Sequence, residues 1–209
     1  MRPCLLLAVG LATVLAPISA GAQAQRTTAA LVLAEGVVYL NDQPVASNSA
    51  PSDLPGTAVV RTTQGRAAIA LKRGGWLFLE AGSSVRVLGN GLYNFNRIEV
   101  LTGSAIVASG TSAPLVECEN EIRLSDAGFF RFDVRPVDAR GERACQVRVY
   151  EGAAAVALLE ITSALRGGQA MMCSRQCGDR IPTTEFSASQ LDRFDQWARN
   201  YCLIRESQR

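Results

Sequence analysis

The chain has 209 residues, with 21 lysines and arginines against 19 aspartates and glutamates and no histidine. Near-balanced charge argues against a general attraction to nucleic acid or anionic membrane. The lack of histidine excludes Ser-His-Asp and Cys-His nucleophile sets, HExxH metal hydrolysis and His-ligated zinc. The sequence has no GxGxxG after a strand, no GxxxxGK[ST] and no calcium loop, so neither a cofactor nor a metal is implied.

Arg2, the apolar run Leu5 to Ala16, Pro17 and the small-x-small triplet Ala22-Gln23-Ala24 predict a signal peptide over 1–24, with the mature chain starting at Gln25. The run is shorter than the roughly 20 apolar residues that span a bilayer. An uncleaved anchor is the alternative. No later segment is apolar enough to cross, so the expected location is periplasmic or secreted, with no transmembrane segment after cleavage. The mature chain fits one domain over 25–180, followed by a linker and helix over 181–209.

Short strand-like runs then follow one another: Leu31 to Leu40, Ala58 to Thr62, Gly65 to Leu71, Trp76 to Glu80, Ser84 to Leu88, Arg97 to Leu101 and Gly103 to Ala108. They continue with Val116 to Leu124, Phe129 to Val134, Gln146 to Tyr150, Gly152 to Leu158 and Gly168 to Met172. Turn residues such as Asn41-Asp42-Gln43-Pro44 and Ser125-Asp126-Ala127-Gly128 fill the gaps. The runs opening on Gly65, Gly103, Gly152 and Gly168 each read as a turn entering a strand. Val147 to Glu160 reads as two strands hinged at Glu151-Gly152, with a helix as the competing reading because alanine favours helix. The pattern predicts an all-β fold, a twisted solenoid-like or sandwich-like body of many short strands.

Five cysteines follow the signal. Strand phasing turns Cys118 and Cys145 toward the core, where they could meet across neighbouring strands, and an exported chain favours a bridge between them. The preferred second bridge is Cys177 to Cys202, which leaves Cys173 as a small buried hydrophobe. Glu117, Glu119 and Glu121 alternate with Val116, Cys118 and Ile122. They could serve carboxylate catalysis of the glycosidase kind, but they also read as the solvated face of a half-buried strand. In the tail, Ser187 and Gln190 form a capping box ahead of Leu191, Phe194, Trp197, Ala198 and Tyr201 at helical spacing. The expectation is one C-terminal amphipathic helix packed on the body, with a partner-binding helix as the alternative.

In their order, these phrases resemble the FecR-like domain, the periplasmic ligand-sensing part of the FecR family. The resemblance is carried by Gly36-Val-Val-Tyr-Leu40, Val60-Arg-Thr-Thr-Gln-Gly65, Ser84-Val-Arg-Val-Leu88, Ile98-Glu-Val-Leu-Thr-Gly103, Gly128-Phe-Phe-Arg-Phe132, Val149-Tyr-Glu-Gly152 and Arg166-Gly-Gly-Gln169. Leu191-Asp-Arg-Phe-Asp-Gln-Trp197 is similar to the endings of standalone members. The resemblance implies a noncatalytic all-β domain facing the periplasm; this chain is expected to depart from the signalling members as a standalone exported form, with a cleavable signal and neither their sigma-factor regulator segment nor their membrane helix. The expected function is binding or sensing of an envelope protein, glycan or cell-wall ligand. An envelope polymer hydrolase or inhibitor relying on carboxylates is the alternative. Trp76, Tyr93 and Phe95, beside the Gly89-Asn90-Gly91 turn, are the candidate binding residues if exposed, and no catalytic residue is assigned.

Overall fold

The computed structural model describes residues 29–47, 49–71, 74–89, 96–135, 143–158, 161–174 and 182–207. Among these residues, fifteen strands and one helix follow in chain order. They are β1 (Ala29–Leu40), β2 (Gln43–Val45), β3 (Ser52–Asp53), β4 (Thr57–Leu71), β5 (Gly75–Leu79), β6 (Ser84–Gly89), β7 (Asn96–Ser109) and β8 (Leu115–Cys118). The series continues with β9 (Asn120–Leu124), β10 (Gly128–Arg135), β11 (Ala144–Glu151), β12 (Ala153–Leu158), β13 (Ile161–Arg166), β14 (Gln169–Ser174), β15 (Thr183–Glu185) and α1 (Arg193–Glu206).

The strands form one hydrogen-bonded sheet folded into two layers, because its long strands change neighbours part-way along. β4 pairs with β6 over Thr57 to Arg61 and with β5 over Ala67 to Leu71. β7 pairs with β6 and β8 in its first half, and with β5 and β10 in its second. Layer A therefore runs from β2 through the end of β1 and the start of β4 to β6, the start of β7, β8, β9, β12 and β13. Layer B runs from β3 through the start of β1 and the end of β4 to β5, the end of β7, β10, β11, β14 and β15. Alternate side chains of both layers meet in a single core that includes Val38, Val60, Ile69, Leu79, Val85, Ile98, Val107, Val116, Phe130, Phe132 and Val147.

Gly65 and Gly103 do not open new strands, as the sequence reading expected. They are the bends where β4 and β7 pass between layers, at φ 107° and 74°. A Cβ on Gly65 would lie 1.9 Å from the Glu35 carbonyl oxygen, and one on Gly103 would lie 2.5 Å from Ser83 Oγ, so only glycine fits either place. Buried hydroxyls take up backbone groups near the bends. Ser83 Oγ donates to the Ser104 carbonyl (2.9 Å) and accepts from the Ser104 N–H (2.9 Å), while the Ser83 N–H donates to Thr62 Oγ1 (3.1 Å).

Two further expectations change. Val116 to Leu124 is not one strand: Glu119, at φ 63°, folds the chain back so that Glu117 faces Glu121 across β8 and β9. Val147 to Glu160 does hinge at Gly152, but its halves do not pair with each other. β11 lies in layer B between β10 and β14, whereas β12 lies in layer A between β9 and β13.

Cys118 and Cys145 are bonded, with their Cα atoms 5.8 Å apart. Their strands are not neighbours, being three steps apart in the strand order. In a flat sheet they would stand about 14 Å apart. The folded sheet brings β8 of layer A against β11 of layer B, so the bridge ties the layers together. Arg143 Nε, 2.9 Å from Glu119 Oε1, closes the same seam. Cys173 is buried opposite Cys145 on β14. Cys177 lies outside the described residues, and Cys202 sits on α1 beside the apolar cluster beneath the helix.

The helix starts later than Ser187 and Gln190 suggest. Its N-cap is Asp192, whose carboxylate accepts from the Phe194 and Asp195 N–H groups (2.9 Å each), while Asp195 Oδ2 accepts from the Asp192 N–H (3.1 Å). Before it, Thr183 to Glu185 add β15 to the edge of layer B, so the tail joins the sheet before becoming helical. α1 then covers the outer face of layer B. Phe194, Trp197, Ala198 and Tyr201 pack on Ala68, Phe78, Ile106, Phe129 and Tyr150, forming a second apolar cluster. Ala68 and Ala198, both fully buried, are small enough to let helix and sheet approach closely.

Candidate binding site

The two outer faces differ. That of layer B lies under α1 and holds a buried charge cluster around Arg131 of β10, a residue 6% exposed. Arg131 contacts Asp133 (2.9 Å), Asp195 (3.0 Å), Asp192 and, at 3.8 Å, Glu80. Burial opposes its charge, but Asp133, Asp192 and Asp195 outweigh burial and hold its pKa above the usual arginine value. Burial pushes Tyr150 up to about 12, helped by the hydrogen bond its hydroxyl donates to Asp195 (2.8 Å). Burial also raises the Glu80 carboxyl, against the pull of Arg131. Asp192 is lowered because hydrogen bonds from the Asp195 and Phe194 backbone and from Arg131 overcome its own burial. These groups hold the helix on the sheet, with Arg131 and Asp195 buried where α1 meets β10.

The outer face of layer A is organised differently. Cross-strand register sets Thr57, Leu88, Arg97, Leu115, Arg123, Ala155 and Ala164 side by side across β4, β6, β7, β8, β9, β12 and β13. The next row places Arg86, Glu99, Glu117 and Glu121 across β6 to β9. Arginines of the first row reach carboxylates of the second, Arg97 to Glu117 and Arg123 to Glu121 (3.1 Å), while Arg86 pairs with Glu99 within the second. The hydrogen bond that Arg97 donates to Glu117 raises the Arg97 pKa. A cleft of about 730 Å³ opens along the first row, walled by Leu88, Pro114, Leu115 and Leu124 and rimmed by Arg97, Glu121 and Arg123. Alternation of apolar side chains with planar guanidinium donors gives a surface for an apolar body bearing carboxylate or hydroxyl groups.

The three glutamates singled out in the sequence thus each face an arginine, Glu117 and Glu121 on the open face and Glu119 in the seam. Of the aromatic candidates, Trp76 is half-buried beneath α1, its ring edge-on to Tyr201 with centroids 5.1 Å apart. It also lines a second cleft of about 460 Å³, with Phe129, Glu151, Arg199 and Leu203. Tyr93 and Phe95 lie outside the described residues, in the segment between β6 and β7. The row through Leu88, Arg97, Leu115 and Arg123 escaped the sequence reading because it joins four strands by register. Its one local signal is that each position precedes or follows an inward-pointing apolar residue.

No protein-family model matches the chain, and no curated protein matches it. Its fold is similar to two crystal structures of what is described as "a putative anti-sigma factor" from Parabacteroides distasonis. The first has a TM-score of 0.52 at 14% identity, covering 64% of this chain and 62% of that one. The second has a TM-score of 0.51 at 14% identity, covering 63% and 61%. At that identity the likeness is one of fold, and this chain spans about three-fifths of the length of those structures.

Proposed function

We propose that this protein is a noncatalytic, FecR-like binding or sensing module, exported to the periplasm or secreted, that engages an envelope protein or glycan through the outer face of layer A. The observation that carries the reading is the cross-strand row Leu88, Arg97, Leu115 and Arg123 along an open cleft, on the face opposite the one α1 covers. The shared fold with the anti-sigma-factor structures and the FecR-like order of the sequence phrases support a regulatory rather than an enzymatic module. The pairing of Glu117, Glu119 and Glu121 with arginines gives each a structural role in the strands and their seam.

The test compares residues 25–209 with the variant Leu115→Glu in capture from an envelope extract and in binding to purified cell-wall glycan. The expected result is retention of a defined ligand by the wild type and its loss in Leu115→Glu at unchanged melting temperature. Equal retention by both moves the binding surface elsewhere. Turnover of an envelope polymer by the wild type, lost on replacing Glu117 or Glu121, overturns the noncatalytic reading in favour of the hydrolase.

A further inference from the structure

We infer that β13 is a docking edge for a second copy of this chain, which would pair β13 with β13 antiparallel and extend layer A into a two-fold dimer. The inference is independent of the proposed ligand. Among the described residues, the folded sheet has four terminal strands. Three are blunted: β2 has three residues including Pro44, β3 has two, and β15 has three. β13 has six residues, pairs with β12 without a register shift, and contains no proline or lysine and no charge before its last residue, Arg166. Among the described residues, no element is hydrogen-bonded to its outer side.

The hairpin fixes which backbone groups face outward. Leu158 and Ile161 close a two-residue connection, so the hydrogen-bonded partners of β12 are Ile161, Ser163 and Leu165. Thr162, Ala164 and Arg166 then direct their N–H and C=O groups away from β12. Consistent with that phase, the Arg166 N–H donates to the Gln169 side chain (3.0 Å) and the Ala157 carbonyl, opposite Thr162, accepts from Asn120 (3.2 Å). The N–H and C=O groups of Thr162 and Ala164 have no hydrogen-bond partner among the described residues and sit in exposed positions.

A strand that satisfies these four groups is β13 itself. A two-fold axis through Ser163 sets Thr162 opposite Ala164 of the other copy, twice, giving four backbone hydrogen bonds in phase. The same axis brings Ile161, 43% exposed, into the interface opposite Leu165 of the other copy, which is already fully buried in its own core. The single charge does not oppose itself, since the two Arg166 residues stand six positions apart along the strands, roughly 20 Å. Outside the ladder, the facing side chains are small: Ala155 and Ala157 on β12, and Thr162 and Ala164 on β13. Six residues a side bury less than the roughly 1,200 Å² of a stable complex, so the dimer is reversible and concentration-dependent. Because the axis is perpendicular to the sheet, the two clefts open on the same side, roughly 34 Å apart by strand count.

The test is sedimentation velocity of residues 25–209 from about 10 μM to about 1 mM. The wild type is expected to pass from monomer to dimer. Ala164→Pro removes an outward N–H without touching the β12 ladder, and Ala164→Lys keeps the N–H but adds a charge. Each should weaken the dimer by about tenfold or more at unchanged near-ultraviolet circular dichroism. Should the proline variant misfold, the lysine variant decides alone. A wild type that stays monomeric throughout overturns the inference and leaves the edge to a strand of a different protein. A dimer that both variants keep overturns it as well, since its interface then lies elsewhere.

Discussion

Arg131 of β10 and Asp195 of α1 meet at 3.0 Å, guanidinium to carboxylate, with Asp195 1% exposed. The same carboxylate accepts the Tyr150 hydroxyl at 2.8 Å and the Asp192 N–H at 3.1 Å, so one side chain closes the helix cap and fastens the helix to the sheet. Asp195→Ala should therefore cost about 3 kcal/mol, because it leaves a buried cation short of one partner and a buried hydroxyl without the carboxylate that accepts from it. Urea unfolding measures the loss. Limited proteolysis should then cut the tail ahead of α1 before it cuts the body.

Tyr150 makes the attachment alkali-sensitive. Its pKa in the fold is about 12, above the ordinary phenol value. The stability it contributes is fully present below about pH 10 and is lost as pH rises through its folded pKa. Unfolding free energy of the wild type should fall across that window, and that of Tyr150→Phe should start lower and fall less. A parallel decline in the two proteins would show that Tyr150 is not the titrating group.

Asp192 acts at the other end of the scale. Its pKa lies below the ordinary carboxyl value, so its contribution is present above about pH 4 and lost as pH falls through the lowered pKa. Asp192→Asn should lower the melting temperature at neutral pH and narrow its gap to the wild type near about pH 2.

Opening the Cys118–Cys145 bridge should destabilise by about 3 to 4 kcal/mol on the chain-entropy model, given a sequence separation of 27. The Cys118→Ala, Cys145→Ala double variant should show that loss in urea. The wild type should approach the variant when a reductant is added, and the variant itself should not respond.

Gly65→Ala should be far more costly than Gly74→Ala. At Gly65 the new Cβ meets a carbonyl oxygen at 1.9 Å, while at Gly74, φ 80°, it meets nothing within 4 Å and only the left-handed backbone is strained. A loss of about 1 kcal/mol at Gly74 and several times that at Gly65 is expected from thermal unfolding. Equal losses would mean that the bend of β4 yields easily.

Local pattern was enough for much of the architecture. Period-2 alternation in Val147, Val149 and their neighbours, turn residues such as Asn41-Asp42, and a late helical spacing from Phe194 to Tyr201 each reflect an interaction between near neighbours, so the all-β body and its closing helix were legible in the sequence. The inward phase of Cys118 and Cys145 was legible for the same reason, while the layers they join were not. Gly65 and Gly103 looked like turns because a glycine before an apolar run signals a positive φ, and the sequence does not say whether the chain reverses there or bends and continues. The helix start moved from Ser187 to Asp192 because the local Asp192–Asp195 cap is held in place by Arg131 and Tyr150, both distant in sequence. Leu88, Arg97, Leu115 and Arg123 form a row only through pairings across four strands, and the open edge of β13 exists only because other strands are covered or short. Side-chain period and backbone preference act over a few residues and can be read from them; register, layer and exposure are set by contacts between segments far apart in the chain, and only the folded sheet decides them.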